Sequence, residues 1–198
     1  MKIEIPRYGN YDEGETIDCG KGYTAVVKIE PDEFCGEPWK ECDGHGPVSD
    51  WEHRDKRPGE LILNEDHGSK RFYDFAEAVK LARRNGWNTK PYYDSNIETA
   101  GERAHRAAMA DYENLRAWCN DEWRYIYVLA TMYRHDEEIA CDILGGVESF
   151  GDYWQEIARD MVANAIDSDI KDRKLAAVNK SKETRERNFW ACRDVATK

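Results

Sequence analysis

The chain has 198 residues, of which 40% are hydrophobic and 35% are charged, and its formal net charge is −11. An aromatic content of 12% supplies the volume for a folded core, which argues against a disordered chain. Because affinity for phosphate comes mainly from Lys and Arg, the acidic balance disfavours direct binding of nucleic acid. No apolar run approaches the roughly 20 residues that a membrane helix needs, so we predict no membrane contact.

The six cysteines are too scattered along a chain of this length to indicate a disulfide framework. The segment from Met1 to Arg7 lacks the apolar core of a signal peptide. We therefore expect reduced thiols and a cytoplasmic location. Length and pattern predict a single domain over residues 1–168, followed by a charged helical extension over residues 169–198.

The first part of the chain has the pattern of strands and loops. Residues 2–8 alternate enough for a short strand, and the polar, Gly-rich residues 9–22 predict a loop. The run 23–29 is rich in β-branched and aromatic residues, which predicts a strand that Pro31 ends.

A loop rich in Gly, Pro and chemically versatile side chains runs from Glu37 to Trp51. Gly and Pro are typical of a shaped connection and not of a helix or strand interior. Trp39 and Trp51 flank the loop, and their large apolar rings are the predicted anchors that hold it to a core.

The residues after this loop predict a hairpin and then two helices. Two short apolar runs, 60–64 and 70–73, surround a Gly-bearing connection, which is typical of a hairpin. Asp74 has the character of a helix N-cap, and that helix is expected to end at Asn85-Gly86. A second helix is predicted to start between residues 95 and 99 and to end near residue 120.

In the last third of the chain the hydrophobic pattern changes between the period of a strand and the period of a helix. Residues 123–133 predict a strand covered on both faces, because both alternating sets are largely apolar. Residues 139–144 predict a further strand that Gly145-Gly146 interrupts. Residues 152–166 predict an amphipathic helix, and a polar helical pattern follows. Together the elements predict an α+β fold: an antiparallel sheet of four to six strands, two to three helices packed on one face, and a partly detached C-terminal helix.

Four residues in or near the loop are of the types that bind zinc: Cys35, Cys42, His45 and His53. The Cys-x2-His pair is a sensible half-site, but the other two spacings match no strong zinc pattern. We expect no metal and no other cofactor, with Zn²⁺ bound by these four residues as the alternative.

The same loop contains an acid–base set, Asp43, His45 and Ser49, or Cys42 with His45. Catalytic sets are defined by geometry in space and not by nearness in sequence, so proximity alone is weak evidence. A turn in which His45 bonds a backbone carbonyl or a carboxylate is the favoured interpretation. We name no catalytic residue and expect a protein without enzymatic activity, although the pattern does not exclude an enzyme.

Two acidic clusters are the predicted partner-binding sites. The first cluster surrounds a predicted turn and contains Asp136, Glu137, Glu138 and Asp142. The second cluster lies in the first loop and contains Asp12, Glu13, Glu15 and Asp18. Carboxylates displayed in two rows imitate the phosphates of a duplex and suit a basic groove on a partner. A solvated face that keeps the protein soluble is the alternative.

The tail beyond Lys171 mixes basic and acidic residues. This mixture favours a salt-bridged, exposed helix over an arm that binds nucleic acid.

A set of short motifs resembles a family of bacteriophage and prophage accessory proteins. The motifs are Pro38-Trp39, Asp43-Gly44-His45-Gly46-Pro47-Val48-Ser49, Trp51, Arg57-Pro58-Gly59-Glu60, Phe72-Tyr73-Asp74-Phe75-Ala76-Glu77-Ala78, Gly86-Trp87, Asp111-Tyr112, Leu115, Asn120-Asp121-Glu122-Trp123, Gly146-Val147-Glu148-Ser149 and Gly151-Asp152-Tyr153. The resemblance covers residues 20–168 and brings no catalytic residue with it. It implies an accessory protein that acts in the host cytoplasm, and small acidic accessory proteins of phages are often inhibitors of host defence.

These observations lead to one expected function and two alternatives. We expect a phage-encoded, non-enzymatic inhibitor that binds a host protein or protein–nucleic acid complex concerned with nucleic-acid-handling defence, with DNA mimicry as its mode. The first alternative is a small zinc-binding protein or metal-dependent enzyme centred on residues 35–53. The second is a structural or assembly protein that works through the tail. A homo-oligomer is compatible with the sequence, which does not fix the oligomeric state.

Overall fold

The computed structural model describes residues 3–41, 44–87 and 98–196, with residues 190–196 as helical backbone. In chain order its elements are β1 (Glu15–Gly20), β2 (Tyr23–Pro31), α1 (Pro38–Glu41), β3 (Glu60–Asp66), β4 (Ser69–Asp74), α2 (Phe75–Asn85), α3 (Ala100–Cys119), β5 (Tyr125–Arg134), β6 (Glu137–Glu148) and α4 (Tyr153–Ala196). A four-stranded sheet has the order β1-β2-β5-β6, and β3 pairs with β4 in a separate hairpin. The predicted α+β class with its antiparallel sheet is confirmed, and the chain ends in a long C-terminal helix. Among the described helices, none has the length and apolar character to span a bilayer.

The chain divides into two compact units. The first comprises Met1–Pro31 with Ile126–Lys198, and the second comprises Asp32–Tyr125. The first unit therefore contains the four-stranded sheet and α4, and the second contains the β3–β4 hairpin with α1, α2 and α3. Whether the two units fold together as one domain over residues 1–168 stays a prediction.

The core of the first unit lies between the sheet and the first half of α4. Alternate residues of β2 and β5 are fully buried, because side chains of a strand point to opposite faces in turn. They pack against the apolar stripe of α4, which contains Trp154, Ala158, Val162 and Ile166. Burial of each large side chain of this kind contributes roughly 1.5–3 kcal/mol.

Three predicted elements of the first unit are wrong in detail. Residues 3–8 are not a strand, although Ile3 and Ile5 are buried, and Pro6, which follows them, has no N–H to donate to a ladder. The predicted loop over residues 9–22 contains β1, whose Ile17 and Cys19 face the core. β6 continues through the glycines at 145 and 146, since a glycine weakens a strand without forbidding it.

The long helix α4 replaces the two helices that the pattern suggested after residue 152. It runs without interruption from Tyr153 to Ala196, so the predicted extension, which begins at residue 169, continues the same helix as far as Ala196. No Gly or Pro occurs after Gly151, and the polar stretch is rich in Ala, Lys, Arg and Glu, which are good helix formers.

The second unit follows its local sequence signals closely. Asp74 caps α2 by accepting a hydrogen bond from the Glu77 N–H, and Gly86 ends the helix in the left-handed conformation. Thr99 and Glu102 form a complete capping box at the start of α3. These caps fix where α2 and α3 begin, and so which faces the two helices turn toward the β3–β4 hairpin.

Candidate functional site

The loop that contains His45 is tied to the edge of β4. The Ser49 N–H donates to the Phe72 carbonyl over 2.9 Å, and the Asp74 N–H donates to the Pro47 carbonyl over 2.9 Å. Further along, Glu52 and Lys70 exchange both backbone hydrogen bonds. The loop thus runs antiparallel beside β4 from residue 47 to residue 52.

A buried polar cluster joins this loop to α3. The Asp111 carboxylate lies 2.6 Å from His45 Nδ1 and accepts hydrogen bonds from the Tyr73 hydroxyl over 2.6 Å and the Gly46 N–H over 2.8 Å. The Tyr73 hydroxyl also lies 3.2 Å from the Ala108 carbonyl oxygen. The Asp111 side chain is only 10% exposed and that of His45 only 12%. We call Asp111, His45, Tyr73 and the Gly46 N–H the loop lock.

The loop lock has the electrostatic character of a satisfied buried carboxylate. Three donors converge on Asp111, which offsets the cost of removing its charge from water. Burial, and then the neighbouring Asp111, raise the pKa of Tyr73 well above its ordinary value, so its hydroxyl stays a donor. His45 Nδ1 faces Asp111, and this contact fixes the orientation of the ring.

The predicted acid–base set is not assembled as a nucleophile and base. The Ser49 hydroxyl donates to the Asp50 carbonyl over 2.7 Å and accepts from the Phe72 N–H over 3.0 Å, so it is part of the loop backbone's support. Both bonds follow from the pairing of the loop with β4. Among the described residues, the Ser49 hydroxyl makes no hydrogen bond to His45. The other two members, Cys42 and Asp43, lie outside the described residues.

The candidate zinc ligands that the structure describes have separate partners. The Cys35 thiol contacts Asp32, and burial followed by that carboxylate raises the pKa of Cys35, which disfavours the thiolate that zinc binds. His53 lies 2.9 Å from the Ser69 hydroxyl at one end of β4, whereas His45 is held near Tyr73 at the other end. Four strand residues span about 13 Å, too far for two histidines to share one ion. No group of three metal-binding side chains occurs in the part of the chain that the structure describes.

Both predicted anchors of the loop, Trp39 and Trp51, contact Arg71. The Arg71 guanidinium carbon lies 4.6 Å from the Trp51 ring centre and 5.1 Å from that of Trp39, and Arg71 also pairs with Glu37. Trp39 is half-buried and packs edge-to-face on Trp118, whereas Trp51 is 39% exposed. Their anchoring role stays a prediction, which the stabilities of Trp39→Ala and Trp51→Ala will test.

The two acidic clusters lie at opposite edges of the four-stranded sheet. Glu15 and Asp18 belong to β1, and Asp12 and Glu13 lie in the turn before it. Glu137, Glu138 and Asp142 belong to β6, and Asp136 lies in the turn before it. All eight side chains are exposed except Glu15, which is half-buried.

Sequence patterns missed the partners of His45 but contained one signal for them. Asp111 lies on the same face of α3 as the buried Ala104, Ala108 and Leu115, at spacings of three and four residues. A carboxylate within an apolar stripe needs buried donors, and this pattern points to a polar cluster without identifying its members.

Comparisons with known proteins give no assignment. No protein-family model, no curated protein and no solved structure matches this chain.

Proposed function

We propose that this protein is a non-enzymatic inhibitor whose two acidic sheet edges occupy the basic nucleic-acid-binding groove of a host defence complex. The strand order β1-β2-β5-β6 is the observation that supports this proposal, because it separates the two clusters by three strand spacings. At about 4.8 Å per spacing the edges are about 14 Å apart. This separation is comparable to the roughly 12 Å width of the major groove of a duplex.

The two rows also overlap along the strands. The register pairs Asp18 with Thr24 and Thr24 with Tyr133, next to the residue where β5 ends. Asp18 on one edge is therefore level with the turn that carries Asp136 on the other. A groove that reads two rows of phosphates would meet both rows of carboxylates together.

Several of these carboxylates are held by local hydrogen bonds. Asp18 accepts from the Gly20 N–H over 2.8 Å, Glu15 accepts from the Asn10 N–H over 2.9 Å, and Asp142 accepts from the Ile143 N–H over 2.9 Å. Ordered charges lose less conformational entropy on binding than free ones, which favours rapid and specific association.

The charge of the body of the protein favours a basic partner. Residues 171–198 contain nine basic and four acidic residues, which is a net charge of +5. Since the whole chain carries −11, residues 1–170 carry −16. The phage origin and the host-cell setting in this proposal rest on the motif resemblance alone.

The experiment is capture of a partner from nuclease-treated host lysate, followed by binding kinetics and competition against a duplex of about 20 base pairs. A variant with Asp136, Glu137, Glu138 and Asp142 changed to Lys is expected to associate far more slowly, and Asn or Gln at these positions to give an intermediate rate. The matched control changes four exposed acids of the second unit to Lys: Asp50, Asp55, Asp66 and Glu113. Equal binding by both variants, or binding indifferent to salt, would contradict the proposal.

A further inference from the structure

The second half of α4 extends beyond the core of its own unit. All side chains from Lys171 to Phe189 are exposed except that of Thr184, which is half-buried. The whole helix of 44 residues is about 66 Å long at 1.5 Å per residue. An unsupported helix is only marginally stable in water, so a partner for this half would contribute to its stability.

One stripe runs along the solvent side of the entire helix. Its members follow one another at spacings of three and four residues, as in the seam of a coiled coil. The stripe consists of Tyr153, Ile157, Asp160, Asn164, Asp167, Lys171, Leu175, Val178, Lys182, Arg185 and Phe189. Every member is exposed except Ile157, which is half-buried.

The charge of this stripe changes sign at its centre. Asp160 and Asp167 lie before the midpoint, and Lys171, Lys182 and Arg185 lie at or after it. A parallel pair of such helices would place like charges opposite each other along its length. An antiparallel pair places the acidic half of each helix against the basic half of the other.

We propose that α4 pairs antiparallel with α4 of a second copy of this chain, about a two-fold axis near Lys171. This arrangement places Asp160 opposite Lys182 of the second copy, and Asn164 opposite its Val178. Leu175 then lies against Asp167 of the second copy, with Lys174 within reach of that carboxylate. Contacts of this kind are isologous, since each one occurs twice in the dimer.

A groove beside the acidic half of the stripe fits the same occupant. It has a volume of about 290 Å³ and is lined by Asp142, Ile143, Leu144, Ile157, Asp160, Met161 and Asn164. Ile143 is 56% exposed and Leu144 is 45% exposed on its β6 side. In the proposed register Val178, Lys182 and Arg185 of the second helix face this groove, and they offer an apolar contact and the opposite charge.

Sedimentation equilibrium of the full chain and of charge variants tests the pairing. The parent is expected to dimerise, and Asp160→Lys or Lys182→Asp to weaken the dimer about tenfold, because each change affects two contacts. The double variant Asp160→Lys with Lys182→Asp restores opposite charges and should recover most of the lost affinity. Lys180→Asp, an equal change on the other side of the helix, is the matched control and should leave the dimer unchanged. Circular dichroism verifies that each variant keeps its helix.

Carbodiimide cross-linking of the parent gives a direct readout of orientation. Within one chain Asp160 and Lys182 are 22 residues apart, about 33 Å along the helix, so an amide between them joins two copies. Mass spectrometry is expected to find this cross-link. A monomer at all concentrations, a dimer indifferent to the charge variants, or cross-links that indicate a parallel pair would overturn the proposal. The proposal would also be overturned if the parent were a monomer that binds a 20-base-pair duplex and Lys182→Asp abolished this binding. In that case the basic half of the stripe would be a nucleic-acid surface. None of the variants alters the two acidic clusters, so failure of the dimer leaves the inhibitor proposal to its own test. Asp142 belongs to one cluster and also lines the groove beside the stripe, and a confirmed dimer would therefore cover that part of the β6 edge.

Discussion

Replacement of Asp111 is the sharpest test of how the second unit holds its loop. Asp111 on α3 accepts two hydrogen bonds from the loop, from His45 at 2.6 Å and Gly46 at 2.8 Å, and one from Tyr73 of β4 at 2.6 Å. Asp111→Ala leaves all three donors without their acceptor in a largely buried site. Each unsatisfied buried donor costs about 1–3 kcal/mol. We expect Asp111→Ala to lower the free energy of unfolding by roughly 3–5 kcal/mol, since three donors lose their acceptor together.

The isosteric change Asp111→Asn keeps the volume of the side chain but removes its charge and one acceptor oxygen. It therefore distinguishes the effect of charge and acceptors on stability from the effect of volume. The amide keeps one acceptor oxygen but turns an NH2 group toward one of the donors, so we expect roughly half of the alanine effect, about 1.5–2.5 kcal/mol. Glu113→Ala is the control, because Glu113 is exposed on the same helix and its replacement should stay within about 0.5 kcal/mol of the parent.

Urea denaturation followed by tryptophan fluorescence is a suitable assay for these variants. Five of the seven tryptophans, at positions 39, 51, 87, 118 and 123, lie in the second unit, so the signal reports mainly on that unit. If Asp111→Ala is no less stable than Glu113→Ala, the loop lock does not hold the loop and the reasoning from its hydrogen bonds is wrong.

Three further predictions concern packing and titration. Gly46→Ala should destabilise the protein by about 1–3 kcal/mol, since an added Cβ would lie 2.5 Å from the Tyr73 hydroxyl, whereas Gly101→Ala in α3 has room and should be neutral or stabilising; urea midpoints compare the two. Burial raises the pKa of Cys119 to about 11, so iodoacetamide at pH 8 should label the exposed Cys141 well before Cys119, and mass spectrometry that finds equal rates would refute this. Because the pKa of Tyr73 is raised in the folded state, its stabilising contribution is complete below pH 10.0 and declines above it. Tyr73→Phe should therefore lose stability less steeply than the parent between about pH 10 and 11, and parallel alkaline unfolding curves would contradict the assignment.

Local signals in the sequence were sufficient wherever neighbouring residues decide the structure. The Asp74 and Thr99 caps, the Gly86 stop and the alternation of β5 all act within a few residues, so α2, α3 and β5 could be predicted. Charge, too, is a property of composition, and the sequence alone indicated an acidic protein with two local clusters of carboxylates.

Tertiary structure decided the features that depend on distant pairing. β1 was hidden in a Gly-rich stretch because its strand conformation comes from pairing with β2 more than from propensity. His45 and Asp111 are 66 residues apart, so no local pattern could identify them as partners. The two acidic clusters are more than a hundred residues apart in the chain, and only the strand order places them as two rows at opposite edges of one sheet. Hydrogen bonding between strands and burial of their apolar faces are cooperative over the whole unit. For this reason the sequence shows which residues are charged, whereas the fold fixes how those charges are arranged.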